Sequence, residues 1–223
     1  STDGVGAHLA ERTDVSVISH KKNLGYGAAL MSAFQYAIVH RYDVLVTIDC
    51  DGQHEPQRIT DLALACQEVD IVSGSRYLEE VDAKSSVPAD RRRINQQITE
   101  ELNCRLGLSI TDAFCGFKAY RVGALANLEL TEPGYAMPLE LWVQAALHDL
   151  RIVEAPVPLI YLDEDRSFGE SLDDSGTRLR YYHRVIDSAV GRAARQAGDA
   201  EFARRNATGR CGCSRPHLPV ASV

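Results

Sequence analysis

Two aspartates at the end of an apolar run are the residues of this chain best suited to chemistry. Asp49 and Asp51 follow the strand-favouring segment 44–48 and are separated by Cys50. Side chains two positions apart on an extended segment share one face, so the two carboxylates can converge on one ion. Hard oxygen ligands of this kind suit Mg²⁺ or Mn²⁺, which complete their coordination shell with water and substrate phosphates. A solvated turn after a strand is the alternative interpretation of the same pattern.

Length and composition limit the class of protein. The 223 residues fit one domain, or one domain with a tail, and 45% apolar residues suffice for a buried core. The formal net charge of −7 argues against general affinity for nucleic acid, so phosphate recognition must come from local arginines. No apolar stretch reaches the ~18 residues of a transmembrane helix, and no signal peptide is visible.

The cysteines indicate a reducing compartment. Most of the six lie inside apolar helix or strand patterns, which favours free thiols over disulfides. Cys211 and Cys213 lack a second Cys/His pair at ligand spacing, which argues against a metal site in the tail. We therefore expect a cytoplasmic protein.

Helix and strand patterns alternate along the first part of the chain. Strands are predicted at residues 15–19, 43–48 and 70–75, and helices at 5–12, 23–40 and 57–69. The helix at 23–40 opens on a Gly-punctuated turn, and Pro56 lies where a missing N–H costs little. Such alternation predicts a parallel α/β sheet.

The second half of the chain has a different pattern of predicted helices and strands. We predict a helix with Arg91, Arg92 and Arg93 in its first turn, a strand at 117–120, a helix at 138–148, a proline-interrupted edge strand at 151–162 and a helix at 177–195. The last helix has arginines beside its apolar stripe. It either packs on its own domain, which we favour, or lies on a membrane surface.

Short motifs follow one another in a fixed order from residue 1 to about 172. They are Ser1-Thr-Asp-Gly4, Asn23-Leu-Gly25-Tyr-Gly27-Ala-Ala-Leu30, Asp49-Cys-Asp51-Gly-Gln53-His54-Glu-Pro56, Asp70-Ile-Val-Ser-Gly-Ser75-Arg76-Tyr77, Arg92-Arg93 and Asp112-Ala-Phe-Cys-Gly116-Phe-Lys-Ala-Tyr-Arg121. Together they resemble the family 2 glycosyltransferases, and within them the dolichyl- or polyprenyl-phosphate mannose synthases. The resemblance implies an α/β fold of GT-A type: a single Rossmann-like domain with a mostly parallel central sheet and flanking helices.

The resemblance also implies domain limits. Residues 1–196 are expected to form the catalytic domain, and residues 197–223, where periodicity fails, a disordered tail. Family members carry a strand before their Asp-Asp-Gly-Ser-Thr-Asp-Gly motif, whereas this sequence begins inside that motif. We therefore expect an N-terminal truncation that removes the first strand and the nucleotide base-binding segment.

Individual roles follow from the same resemblance. Asp49, Asp51 and Gln53 are expected to hold Mg²⁺ or Mn²⁺ against the donor diphosphate, with Asp51 and Arg76 as catalytic residues. The implied donor-binding residues are Asp3, Gly25, Gly27, Asp49, Arg76, Arg166 and Ser171.

Arg92 and Arg93 are expected to bind the acceptor phosphate, at a helix start that itself favours anions. Two departures from the family pattern affect these sites. Asn95 and Gln96 stand where members often carry a serine, and Leu172 replaces a lysine of the loop that covers the donor. The lost lysine predicts weaker donor binding or a different donor.

The implied reaction is an inverting transfer of a hexose, mannose or glucose, from GDP-mannose or UDP-glucose to a dolichyl or polyprenyl phosphate. A phosphate monoester is largely dianionic at pH 7, so the acceptor needs no general base. His54 and Glu140 stay open as site or packing residues. The lipid acceptor implies peripheral contact with the cytoplasmic membrane. The alternatives are a glycosyltransferase with a soluble acceptor, a sugar nucleotidyltransferase, a phosphatase of the haloacid dehalogenase type and an inactive fragment.

Overall fold

The computed structural model describes residues 4–78, 88–160 and 172–197. In these ranges the helices are α1 Val5–Ala10, α2 Tyr26–Val39, α3 Ile59–Ala65, α4 Ala89–Leu106, α5 Val122–Leu125, α6 Met137–Leu147 and α7 Ser175–Ala197. The strands are β1 Val44–Thr47, β2 Ile71–Ser75, β3 Lys118–Arg121 and β4 Ile152–Pro156, and a 3₁₀ turn at Pro56–Arg58 precedes α3.

The four strands form one sheet in the order β1-β3-β2-β4. β2 and β4 are parallel, whereas β3 is antiparallel to both of its neighbours. The α/β class is confirmed. The expectation of a mostly parallel sheet is confirmed in strand direction, because β1, β2 and β4 run the same way. Among the described strands β3 is the one that runs in the opposite direction, inserted between β1 and β2.

The direction of β3 follows from the way the chain enters it. Lys118, its first residue, pairs with Thr47 at the carboxyl end of β1 and with Ser73 of β2. The chain therefore arrives at β3 on the side where β1 and β2 end. Segment 112–117, which precedes β3, is brought to the same edge as the residues that follow β1 and β2.

The strand predicted at residues 15–19 is absent. This segment has no regular structure, and Val15, Val17 and Ile18 are 43%, 50% and 51% exposed. A strand is stable only when its backbone groups pair with a neighbouring strand. Segment 15–19 pairs with no strand among the described residues, so its β-branched composition alone does not form one.

Helices α6 and α7 supply the centre of the core. Trp142 is fully buried and its Nε1 donates a hydrogen bond to the carbonyl of Ala113 at 2.9 Å. The apolar stripe of α7 is buried within the same cluster through Tyr182, Ile186 and Ala189. The stripe therefore packs on its own domain. None of the described helices is long and apolar enough to span a membrane.

The remaining expectations concern edges and chain ends. β4 lies at one end of the strand order, as its prolines predict. Cys50, Cys66, Cys104 and Cys115 are free thiols. Cys211, Cys213 and nearly all of the tail predicted at 197–223 lie outside the described residues, and only Ala197, the last residue of α7, falls within them.

Candidate active site

Three segments bring polar side chains to one edge of the sheet. Asp49 follows β1, Arg76 follows β2, and segment 112–117 leads into β3. They border an open cleft that is also lined by residues of α2, α4, α6 and α7. The lining residues are Tyr26, Asp49, Gln53, His54, Arg76, Tyr77, Arg91, Ile94, Asn95, Phe114, Gly116, Tyr135, Pro138, Arg178 and Tyr182.

The cleft is small for a complete ligand site. Its volume is ≈ 170 Å³, whereas pockets for drug-sized ligands typically measure about 300–1,000 Å³. The described residues therefore outline only part of a site that could take a nucleotide sugar.

Asp49 is held against the backbone of Gly116. A Cβ atom at position 116 would lie 2.3 Å from Asp49 Oδ2, so a side chain there would displace the carboxylate. Thr47, the last residue of β1, donates a hydrogen bond from Oγ1 to the Gly116 carbonyl at 2.8 Å and ties the two segments together. The Asp49 side chain is 31% exposed, which leaves it accessible from the cleft.

Asp51 does not have the strand geometry predicted for it. β1 ends at Thr47, and the chain bends at residues 50–52. Asp51 Oδ1 accepts a hydrogen bond from the backbone N–H of Gln53 at 3.0 Å, as in an Asx turn. The two aspartates thus lie in a turn rather than on one strand face, and of the two only Asp49 lines the cleft.

His54 forms part of the cleft wall beside the aspartates. Its side chain is 5% exposed, its Nε2 lies 4.0 Å from Asp49 Oδ2, and its ring centroid lies 5.3 Å from that of Phe117. Burial lowers the pKa of His54, and the nearby Asp49 only partly opposes this effect, so the imidazole is neutral at pH 7. Its Nδ1 is buried without a hydrogen-bond partner among the described residues.

The oxygen ligands near the cleft suit a hard cation. No three His, Cys, Asp or Glu side chains group as a metal centre within the described ranges. Asp49 and Gln53 nevertheless present a carboxylate and an amide to the cleft, next to Asp51. Mg²⁺ usually takes only one or two carboxylates and completes its shell with water and substrate phosphates. The residues present therefore fit Mg²⁺ or Mn²⁺ bound together with a phosphate ligand.

Arg76 is paired with Asp112, a partner that the sequence did not suggest. Its Nε and Nη2 donate to the two carboxylate oxygens of Asp112 at 2.6 and 2.8 Å. Burial alone would raise the pKa of Asp112, but Arg76 and Asn95 outweigh burial and hold the pKa well below its usual range. Arg76 itself is 21% exposed and lines the cleft. The pair fixes the plane of the guanidinium and leaves Nη1 outside it.

Asn95 connects this pair to α4. Its Nδ2 donates to Asp112 Oδ1 at 2.8 Å, and its Oδ1 accepts from Thr99 Oγ1 at 3.0 Å. Thr99 Oγ1 in turn accepts from the backbone N–H of Ala113 at 3.1 Å. Asn95, which stands where family members often carry a serine, is therefore part of the Asp112 hydrogen-bond network.

The arginine of α4 that lines the cleft is Arg91. Arg92 is exposed and its guanidinium lies 5.8 Å from the ring centroid of Tyr77, and Arg93 is exposed without lining the cleft. A second arginine reaches the cleft from α7: Arg178 is 3% exposed and its Nη2 pairs with Asp90 at 2.9 Å. Among the described residues, the arginines that line the cleft are thus Arg76, Arg91 and Arg178.

The two glycines expected at the donor site are packed against a loop. A Cβ atom at Gly25 or Gly27 would lie 2.3 Å from the carbonyl oxygen of Pro133 or Glu132, respectively. Gly25 also has φ of 102°, which favours glycine. Close approach of α2 to residues 132–134 therefore explains both glycines, and neither lines the cleft.

Tyr26, which lies between these two glycines, does line the cleft. Tyr26 stacks on Tyr135, with ring centroids 5.8 Å apart and planes inclined by 19°. Burial and the adjacent carboxylate of Asp49 raise the pKa of Tyr26 above its usual value, so the phenol stays protonated.

Glu140 belongs to the interior. It is fully buried and accepts hydrogen bonds from the backbone N–H groups of Thr131 and Glu132 at 2.8 and 2.7 Å. It also pairs with Arg192. These contacts support the loop on which α2 packs, and they settle the choice in favour of local pairing.

The sequence holds a signal for some of the site residues to which it was not seen to assign a role. Asp112 is a lone acid in an apolar stretch, and Arg91 lies four and seven positions before the buried Asn95 and Ile98, on the same helix face. Arg178, Tyr26 and Tyr135 gave no comparable signal. Asp3, Arg166 and Ser171 lie outside the described residues.

Known proteins resemble this chain in sequence. The family described as Glycosyl transferase family 2 matches residues 1–128. The undecaprenyl-phosphate mannosyltransferase of Micrococcus luteus is 31% identical over 79% of this chain and 73% of its own length. The polyprenol monophosphomannose synthase of Mycolicibacterium smegmatis is 30% identical over 81% of this chain and 69% of its own length.

Solved structures support the fold. Glucosyl-3-phosphoglycerate synthase from Mycobacterium tuberculosis, in complex with UDP, aligns with a TM-score of 0.56 at 17% identity, over 86% of this chain and 66% of that chain. The chain thus spans just under two thirds of that solved protein. This likeness confirms the GT-A-like, Rossmann-type fold. Because the family match extends over more than half of its residues, the chain belongs to glycosyl transferase family 2.

Proposed function

We propose that the protein is an inverting glycosyltransferase that moves a hexose from a nucleotide-diphosphate sugar to a polyprenyl or dolichyl phosphate. The donor we favour is GDP-mannose, because the two relatives with 30% and 31% identity are named as enzymes of mannose transfer to lipid phosphates. UDP-glucose is the second donor candidate.

The observation that carries the proposal is the lining of the cleft. Asp49 and Gln53 supply oxygen ligands to its wall, and Arg76, Arg91 and Arg178 line the same space. The remaining lining residues include apolar and aromatic side chains, namely Ile94, Phe114, Pro138 and Tyr182. Cationic groups suit the phosphates of both substrates, and apolar surface suits the prenyl chain of a lipid phosphate.

Arg76 acts on the leaving group in this proposal. Negative charge develops on the nucleoside diphosphate as its bond to the anomeric carbon breaks, and a fixed guanidinium neutralises that charge. An oxygen of the acceptor phosphate forms the new bond from the opposite face of the sugar. Because that phosphate is largely dianionic, no side chain has to remove a proton.

The remaining site residues bind and orient the two substrates. Arg91 faces the cleft and joins Arg92 and Arg93 as the proposed acceptor-phosphate residues. Asp49, Asp51 and Gln53 would hold the divalent cation. Mg²⁺ or Mn²⁺ bound there supplies charge neutralisation at the donor diphosphate and aligns it, in keeping with the Mn²⁺ and Mg²⁺ complexes of the solved glucosyl-3-phosphoglycerate synthase.

A soluble acceptor is the second candidate. The solved relative was crystallised with Mn²⁺, UDP-glucose and phosphoglyceric acid, an acceptor without a lipid. We favour the lipid because the relatives closer in identity carry lipid-phosphate names and because the cleft has apolar walls. The enzyme would then meet its acceptor at the cytoplasmic surface of a membrane, as a peripheral protein.

A donor and acceptor screen tests the proposal. The intact protein is incubated with radiolabelled GDP-mannose or UDP-glucose, with Mg²⁺ or Mn²⁺, and with either polyprenyl phosphate in detergent or 3-phosphoglycerate. We expect the label to enter the organic phase only when the lipid phosphate is present. Label in a water-soluble product alone would replace the lipid acceptor by the soluble one. An absence of transfer to any acceptor would reject the enzyme.

A further inference from the structure

The carboxylate of Asp112 organises the arginine side of the cleft. It is fully buried and accepts five hydrogen bonds, from the backbone N–H groups of Arg76 and Phe114, from Nε and Nη2 of Arg76, and from Nδ2 of Asn95. Three of these donors belong to one arginine, which is a cleft residue. The arrangement therefore fixes the position and the orientation of Arg76.

We propose that Asp112 is a positioning residue that presents Nη1 of Arg76 to the phosphate of the substrate. Nε and Nη2 already donate to Asp112 at 2.6 and 2.8 Å, so the guanidinium cannot use that edge to grip a phosphate. The nitrogen outside the pair is left for the ligand. This inference rests on the proposed function, because it assigns the diphosphate leaving group to Arg76.

Asn95 extends the positioning to a second arginine. It shares Asp112 Oδ1 with Arg76 and stands one helical turn after Arg91 on α4. A single carboxylate therefore links the end of β2 to the helix that carries the acceptor-side arginine. The separation between Arg76 and Arg91 is set by this link, and an acceptor phosphate and a leaving diphosphate that must lie in line on opposite sides of the anomeric carbon need such a fixed separation.

The backbone around Asp112 is itself held from β4. Glu154 accepts hydrogen bonds from the backbone N–H of Thr111 at 2.8 Å and from that of Asp112 at 3.2 Å. Its Oε2 also accepts from Thr111 Oγ1 at 2.8 Å. Asp112 is therefore fixed at its backbone and its side chain, as orientation of a reactive arginine requires.

A purely structural ion pair is the competing explanation, and a double-mutant cycle separates the two. Asp112→Asn keeps the side-chain volume but places an amide opposite Arg76. We expect kcat to fall on the order of 10²-fold, the cost typical of a misplaced group, with a smaller change in KM for the donor. In an Arg76→Ala background Asp112→Asn should cause no further loss. An equal loss of kcat in both backgrounds would overturn the inference.

The matched control is Asp70→Asn. Asp70 precedes the same strand at its other end and pairs with Arg121 and Arg151 at 3.5 and 3.8 Å. Asp70→Asn also removes an ion-paired carboxylate, but Asp70 does not line the cleft. The kcat of this variant should therefore stay within a few-fold of that of the unaltered enzyme. The midpoint of thermal unfolding reports any loss of stability. Asn95→Ala is the milder second variant, which removes one donor and keeps the Arg76 pair; it should lower kcat by less than Asp112→Asn.

Binding of inorganic pyrophosphate with Mg²⁺, measured by calorimetry, distinguishes failure of the inference from failure of the proposed function. Pyrophosphate needs no donor, acceptor or turnover. We expect Asp112→Asn to weaken its binding about 10-fold when Arg76 is present, and not when Arg76 is alanine. Equal affinity in the unaltered protein and Asp112→Asn would refute the positioning role even if sugar transfer is observed.

Discussion

Buried charge explains the conformation of single residues at the cleft. The Asp112 carboxylate has no exposure, and an unpaired carboxylate in that position would cost several kcal/mol. Arg76, Asn95 and two backbone N–H groups offset that cost. Because the buried Asp112 carboxylate requires a cationic partner, it determines the orientation of the Arg76 guanidinium.

Gly116→Ala tests the placement of Asp49 at the residue scale. The added Cβ would lie 2.3 Å from Asp49 Oδ2 and must displace the carboxylate. We expect sugar transfer to fall on the order of 10²-fold, because misplacement by about 1 Å has costs of that size.

Gly123→Ala is the control for this change. A Cβ atom there meets nothing within 4 Å, and in α5 alanine is the better helix former, so activity should be retained. Full activity of Gly116→Ala, with an unchanged fold by circular dichroism, would show that the position of Asp49 does not matter for transfer.

At the scale of elements, α2 is positioned by contact with a loop rather than by its own caps. Its N-cap residue is Gly25, which has no side chain to cap the helix. Instead, the backbone N–H of Ala28 donates to the carbonyl of Pro133 at 3.1 Å. The loop is held in turn by the buried Glu140. Tyr26 and its stacking partner Tyr135 therefore depend on an interior carboxylate.

Gly27→Ala tests this docking. The new Cβ would lie 2.3 Å from the Glu132 carbonyl oxygen and 2.7 Å from Met137 Cβ. Overpacking of this kind typically destabilises a protein by about 1–3 kcal/mol, so the midpoint of denaturant unfolding should fall. Gly6→Ala in α1, where nothing lies within 4 Å, should leave that midpoint unchanged or raise it. An equal midpoint for both variants would contradict tight docking of α2.

Local sequence patterns predict individual helices and strands better than they predict how the strands pair. The strands at β1 and β2 and helices α2, α4 and α6 follow from apolar periodicity, because each buries a face whose spacing is written in the sequence. The direction of β3 depends on how segment 112–117 returns to the sheet, and residues 15–19 lack a partner strand in the described structure. Neither fact is encoded in a short window of sequence.

At the scale of the whole molecule, distant residues build the site. Asp49 and the motif of Arg76 are recognisable in the sequence because each directly follows an apolar strand. The partners that complete the site are remote: Asp112 is 36 positions from Arg76, and Asp90 is 88 positions from Arg178. Such pairs depend on tertiary packing. The chain as a whole carries −7, while three of the described arginines, Arg76, Arg91 and Arg178, line one cleft.

Calorimetric titration of a nucleoside diphosphate, GDP or UDP, into the intact protein with and without Mg²⁺ or Mn²⁺ tests the central claim, that a carboxylate at the end of β1 and guanidinium groups hold a diphosphate together with a cation. We predict binding that requires the cation in the unaltered protein and that weakens at least 10-fold in Asp49→Asn, in line with the loss of a metal ligand. Binding that is independent of the cation and equal in Asp49→Asn would contradict this account.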